Sequence, residues 1–283
     1  MAICGRRPGG QVMARLLVLL HLAACSDYQF HKRSDADAGN PEDDLLLDTA
    51  DTDTGWAVVE PDPEPEEEPP VDAPDEPVYL HTGETLYSWN PDTGILQIVG
   101  NFALVDGTPI DAITDIAIDS AGRFFGVSYD TLYGIDGYTA EVWAIASIET
   151  PLYGLTCTSD GRLVGGGDGI VEVDTVTGAF TPLVPEGRYQ TSGDIVGLPD
   201  GLLYWAVRDG DDLVVVDPNS GVTVPRGEIG VSSIYGLGYA SGSLYGFTEQ
   251  GTAIEIDPTT GAVLATMSLP GAWWGATTNP VLW

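Results

Sequence analysis

From about residue 78 onward, apolar and polar positions alternate over runs of four to seven residues, the period of half-buried β-strands. One such run recurs with its turn attached. From Leu86 the chain reads Leu-Tyr-Ser-Trp-Asn-Pro-Asp-Thr-Gly, and from Leu132 Leu-Tyr-Gly-Ile-Asp-Gly-Tyr-Thr-Ala. From Ile170 it reads Ile-Val-Glu-Val-Asp-Thr-Val-Thr-Gly, and from Leu213 Leu-Val-Val-Val-Asp-Pro-Asn-Ser-Gly. From Ala253 it reads Ala-Ile-Glu-Ile-Asp-Pro-Thr-Thr-Gly. These copies return about every forty residues, a period that marks repeat architectures.

The recurring acids have a local task. Asp136, Asp174, Asp217 and Asp257, with Asn90 in the first copy, can accept backbone N–H bonds and close an Asx-type turn. Gly94, Gly178, Gly221 and Gly261 suit the positive φ at which such a turn ends. Upstream of each turn lies a second hairpin signal: Ser120-Ala121-Gly122, Ser159-Asp160-Gly161, Pro199-Asp200-Gly201 and Ser241-Gly242. A further β-favouring run follows each Asx turn. Each unit therefore predicts four short antiparallel strands, the content of a propeller blade.

The first unit lacks its innermost strand. The last segment, Trp273-Trp274-Gly275-Ala276-Thr277-Thr278, matches that strand in the other units. Its return to the start completes a blade and removes two open edges. The expectation is an all-β, five-bladed β-propeller closed by a C-terminal strand. A β-sandwich is the alternative, and the regular period argues against it. The copies resemble bacterial propeller repeats of the pyrroloquinoline-quinone and YVTN type over residues 78–283. The resemblance is generic, with no WD dipeptide signature and no quinone-site motif, and it implies a fold without an activity.

The N-terminal region follows different rules. Arg6, Arg7 and Arg15 precede the apolar run Leu16–Ala24, the parts of a secretory signal. The run is about half the roughly 20 residues that a spanning helix needs. Met1 and Met13 both remain open as the start. Leu22-Ala23-Ala24-Cys25 resembles the lipobox of bacterial lipoproteins. That resemblance implies cleavage before Cys25, diacylglycerol on its thiol, and residues 1–24 as a lipoprotein signal peptide. An ordinary signal peptide with a chance cysteine is the competing reading. In enteric-type sorting an Asp directly after the cysteine resembles an inner-membrane retention signal; Ser26 in that place implies the outer membrane and a cell-envelope location on its periplasmic or surface face.

Residues 25–77 read as a disordered, acidic, Pro-rich tether. Glu60–Pro70 is almost wholly acid and proline and cannot bury enough apolar surface to offset ordering entropy. At about 3.1 Å per residue, roughly fifty residues reach at most on the order of 150 Å. With ten basic and 43 acidic side chains the formal net charge is −33. That charge repels phosphates, so no nucleic acid partner is expected, and membrane attachment must come through the lipid. The unit is expected to be a monomer.

Catalytic signals are weak. Residues 78–283 hold one histidine, His81, one cysteine, Cys157, and no lysine. His81 maps to the second strand of the closing blade and Cys157 to the innermost strand of the third, too far apart for a nucleophile and its base. Cys157 reads as a small buried hydrophobe and His81 as a packing or surface residue. Aligning the innermost strands places Thr114, Tyr153, Gly193, Tyr235 and Trp274 at equivalent positions. Asp115, Gly154, Asp194, Gly236 and Gly275 follow them. Tyr153, Tyr235 and Trp274 are therefore candidate ligand-binding residues at the axial mouth. Asp115 and Asp194 are candidates for a Ca²⁺ ion at one level of the axis, with the glycines leaving room between; no other cofactor is expected. The competing reading has these acids solvated at strand starts and the aromatics packed between blades. Asp209, Asp211 and Asp212 form a further acidic loop without full calcium-loop spacing, and read as a solvated turn. The expected role is a non-enzymatic binding module for an envelope protein or a glycan. The alternative is a glycan-acting or calcium-linked hydrolase using the axial carboxylates.

Overall fold

The structure, a computed structural model, describes residues 77–282. Cys25, the leader and the tether lie outside them. In chain order the strands are β1 (Val78–His81), β2 (Thr85–Trp89), β3 (Leu96–Asn101) and the short β4 (Ala103–Leu104). Then come β5 (Asp115–Ile118), β6 (Phe124–Val127), β7 (Thr131–Ile135) and β8 (Glu141–Ser147). The third unit is β9 (Gly154–Cys157), β10 (Leu163–Gly166), β11 (Ile170–Val173) and β12 (Phe180–Val184). The fourth is β13 (Thr191–Gly197), β14 (Leu203–Val207), β15 (Asp212–Val216) and β16 (Thr223–Glu228). The fifth is β17 (Ile234–Ala240), β18 (Ser243–Thr248), β19 (Thr252–Ile256) and β20 (Val263–Ser268), and the described strands end with β21 (Gly275–Thr277).

They form five antiparallel blades in a propeller. Four blades use consecutive strands, and the remaining sheet has the order β21-β1-β2-β3. The closing strand pairs Tyr79 with Thr277, Leu80 with Ala276 and His81 with Gly275. The repeated sequence motif is the third strand of every blade with the turn that follows it. Val176 and Thr177 N–H both donate to Asp174 Oδ1, and the Gly178 N–H closes the turn on the Asp174 carbonyl. Gly178 takes φ 71°, whereas Ala140 holds the same place in the second copy at φ 62°. Asp136, Asp217, Asp257 and Asn90 accept N–H bonds in the same way. One feature departs from the four-strand expectation: β4 adds a parallel strand to the outer edge of the second blade, pairing Ala103 with Glu141 and Leu104 with Val142. It covers an edge that would otherwise offer unpaired backbone.

The apolar core lies between neighbouring blades. Val78, Leu80, Trp89, Phe247 and Trp273 pack as one such layer between the fifth blade and the closing one. Trp273 is fully buried and donates its indole N–H to the Leu269 carbonyl at 2.9 Å. Cys157 lies in the layer between the second and third blades. Burial pushes its thiol pKa far up, so it is an inert packing group.

Candidate functional site

The five innermost strands, β5, β9, β13, β17 and β21, surround the axis, and a cavity of about 430 Å³ opens at the end where they begin. Two concentric sets of residues line it. The inner set is Thr114, Tyr153, Gly193, Tyr235 and Trp274, the five positions that the strand alignment made equivalent. The outer set comes from the tight connections between second and third strands: Tyr129, Asp168, Arg208 and Glu249. Gly83, in the same connection of the closing blade, lies against the Trp274 ring. Asp168 and Glu249 went unread in the sequence, and the available signal was their shared place one hairpin before each Asx-turn strand.

Tyr129, Tyr153 and Trp274 are 49%, 46% and 37% exposed, and Tyr235 is half-buried. They do not fill blade-to-blade gaps; that work falls to Trp89, Trp205 and Trp273. Adjacent tryptophans thus have opposite fates, Trp273 in the core and Trp274 in the mouth. The Trp274 N–H donates to the His81 carbonyl at 2.9 Å, which fixes the backbone from which its ring projects. Gln190 and Ser192 add amide and hydroxyl groups to the cavity wall.

One residue further along the same strands the chemistry changes. Asp115 and Asp194 are fully buried and do not reach solvent, which corrects the reading of solvated acids. Each carboxyl ties its blade to the next. Asp115 Oδ2 accepts the Leu155 N–H of the third blade, and Asp194 Oδ2 accepts the Leu237 N–H of the fifth. Asp194 Oδ1 also takes the N–H group of Ile195. Around the same ring, Thr114 Oγ1 donates to the Leu152 carbonyl at 2.7 Å, and Gly197 N–H donates to Thr156 Oγ1 at 2.9 Å.

The two carboxyls also meet each other within hydrogen-bonding reach. Burial, above all, lifts both pKa values, Asp194 to about 8 and Asp115 well above the carboxylate range, where the facing Asp194 adds to the shift. His81, also fully buried, stands beside them, with Nε2 3.5 Å from Asp115 Oδ1. Its Nδ1 lies 2.8 Å from the Thr82 carbonyl. A carbonyl accepts only, so Nδ1 carries the hydrogen and Nε2 is left as an acceptor. Burial lowers the His81 pKa to about 4, which keeps the ring neutral. His81 Nε2 and Asp115 Oδ1 have no other partner. A proton on Asp115 gives each of them one, and lets the carboxyl pair coexist without two buried charges.

The glycines do not leave a channel at this level. A Cβ on Gly275 would collide with Asp115 Oδ1 and His81 Nε2. Gly275 is required so that the closing strand can lie against the pair. The arrangement does not suit a Ca²⁺ ion, which takes six to eight oxygens. Here three of the four carboxyl oxygens accept backbone N–H groups and the fourth, Asp115 Oδ1, faces His81 Nε2, and no three ligating side chains among the described residues are grouped to hold a metal. Asp211 sits in a single 3-10 turn, Asp209–Asp211, that leads into β15.

No protein-family model and no curated protein matches the sequence. Solved propellers are similar in fold. A chain of a nidogen/laminin complex has a TM-score of 0.51 at 13% identity, over 73% of this chain and 98% of its own. A protein of unknown function from Bacteroides caccae has a TM-score of 0.41 at 12% identity, over 69% of this chain and 73% of its own. The WD40 repeats of RRP9 have a TM-score of 0.46 at 10% identity over 68% of this chain, which spans 60% of that one. At these identities the likeness speaks of fold alone.

Proposed function

We propose that the chain is a non-enzymatic binding module of the bacterial cell envelope, fixed to the outer membrane by lipid on Cys25, whose propeller takes its ligand in the axial cavity. The observation that supports this most is the double ring of residues around one open mouth. Exposed aromatic faces and uncommitted polar groups converge there on about 430 Å³, within the usual range for small-molecule sites. The repeats are read as the generic pyrroloquinoline-quinone/YVTN kind without the quinone chemistry. The acidic tether is read as a spacer that holds the mouth away from the membrane, and the chain as a monomer with no nucleic acid partner. A hydrolase working through Asp115 and Asp194 draws no support, because neither carboxyl reaches solvent to meet a substrate.

Two measurements test the reading. Cys25→Ala should release the protein from membranes and abolish acyl labelling; unchanged labelling would refute the anchor. A ligand-observed NMR screen of small polar and aromatic fragments should give binders that weaken with Trp274→Ala. Binders indifferent to that change would refute the axial site, and turnover of any of them would refute the non-enzymatic role.

A further inference from the structure

We infer that the axial cavity is built for a neutral saccharide, the ligand class that matches both its rings and its polar rim; this rests on the reading of the cavity as a ligand site. The rim charges alternate from blade to blade: Asp168 on the third, Arg208 on the fourth, Glu249 on the fifth. A phosphate or carboxylate drawn to Arg208 would meet an acid on either side. An ammonium ligand drawn to the acids and aromatic faces would meet Arg208 between them. A one-signed ligand therefore meets a like charge at this rim.

A polyhydroxyl ring has no such conflict. Every hydroxyl both donates and accepts. It can accept from the Arg208 guanidinium, which has no ion pair with a described carboxylate, and donate to Asp168 and Glu249. Its C–H face needs a flat apolar surface, and Tyr153, Tyr235 and Trp274 offer three at the cavity wall. The Trp274 ring is backed by Gly83, which steadies it as a platform. Aromatic side chains with one dry face and one wet end suit a ligand of this mixed character. Below the platforms, the buried carboxyl pair closes the axis, so the ligand rests on a floor and does not thread through.

The test is isothermal titration of the folded protein with maltotriose, cellotriose, chitotriose and xylotriose, alongside choline, lysine and inorganic phosphate. At least one trisaccharide should bind, with an affinity that changes by less than about twofold between low and high salt, since a neutral ligand has no charge to screen. Trp274→Ala and Tyr153→Ala should each weaken that binding about tenfold, the share of a well-placed aromatic contact. Trp274→Phe should restore part of it, and unchanged melting midpoints will show that both variants fold. If choline, lysine or phosphate binds at the mouth and no trisaccharide does, the saccharide inference is overturned and the axial site stands. If none of the probes binds, and fragments also ignore Trp274→Ala, both fall together.

Discussion

The mouth and the floor of the axis are one residue apart along the same strands, yet they obey different rules. Thr114, Gly193 and Trp274 line an open cavity, while Asp115, Asp194 and Gly275 directly after them are fully enclosed. The mouth aromatics keep solvent, while the Thr114 hydroxyl beside them is bonded to the Leu152 carbonyl. Floor side chains are committed: two carboxyls bind backbone of other blades, and a histidine is held neutral against one of them. In a propeller all innermost strands converge, so a step of one residue moves a side chain from a widening funnel into the narrowest part of the ring. Ionisable groups there are structural, and groups just above are free for a ligand.

That contrast can be broken in several ways. The largest effect should come from ending the chain before Trp273. Both β21 and the fully buried Trp273 are lost, the ring opens, and the cooperative melting transition should vanish in calorimetry; a surviving transition would mean that closure is not what holds the blades.

Next in size is Asp194→Ala. It strands the N–H group of Leu237 in a dry site, at a cost of about 1–3 kcal/mol for a buried donor. Chemical denaturation should report the loss. Asp194→Asn, which keeps an acceptor, should recover most of it.

The pH dependence of the floor follows from its shifts. Asp115 and Asp194 bind protons more tightly when folded. The stability they add is complete below the ordinary carboxylate value of 3.8 and is lost as pH rises through their raised values, about 8 for Asp194. His81 acts oppositely. Its pKa is lowered to about 4, so its share is present above 6.5 and is lost as pH falls towards about 4. Two protons taken up outweigh one given up, so the melting midpoint should fall from about pH 5 to about pH 9. Asp194→Asn should flatten that slope; an unchanged slope would remove the buried pair as its source.

The smallest effects belong to the mouth. Tyr153→Ser changes a half-exposed ring at the cavity wall, and stability should stay within about 0.5 kcal/mol. A larger loss would show that the mouth also holds the ring together.

Much of this was legible in the chain. The strand–turn repeat, the Asx turns at Asp136, Asp174, Asp217 and Asp257, and the closure by the segment after Trp273 follow from local patterns, because periodicity and turn chemistry act between near neighbours. Even Tyr153, Tyr235 and Trp274 could be placed together, since repeats superpose by counting. The rim acids Asp168 and Glu249 could have been found by the same counting, applied one hairpin earlier.

Sequence alone therefore determined the number of blades, the strands within them and the residues of the inner ring. Tertiary structure decided what surrounds those residues: that Asp115 and Asp194 meet each other and His81 with water excluded, that Gly275 admits the closing strand instead of opening a channel, and that Trp273 and Trp274 part company. Solvation and proton affinity depend on groups forty to eighty residues distant, or nearly two hundred, which only ring closure brings together. No local pattern carries that information.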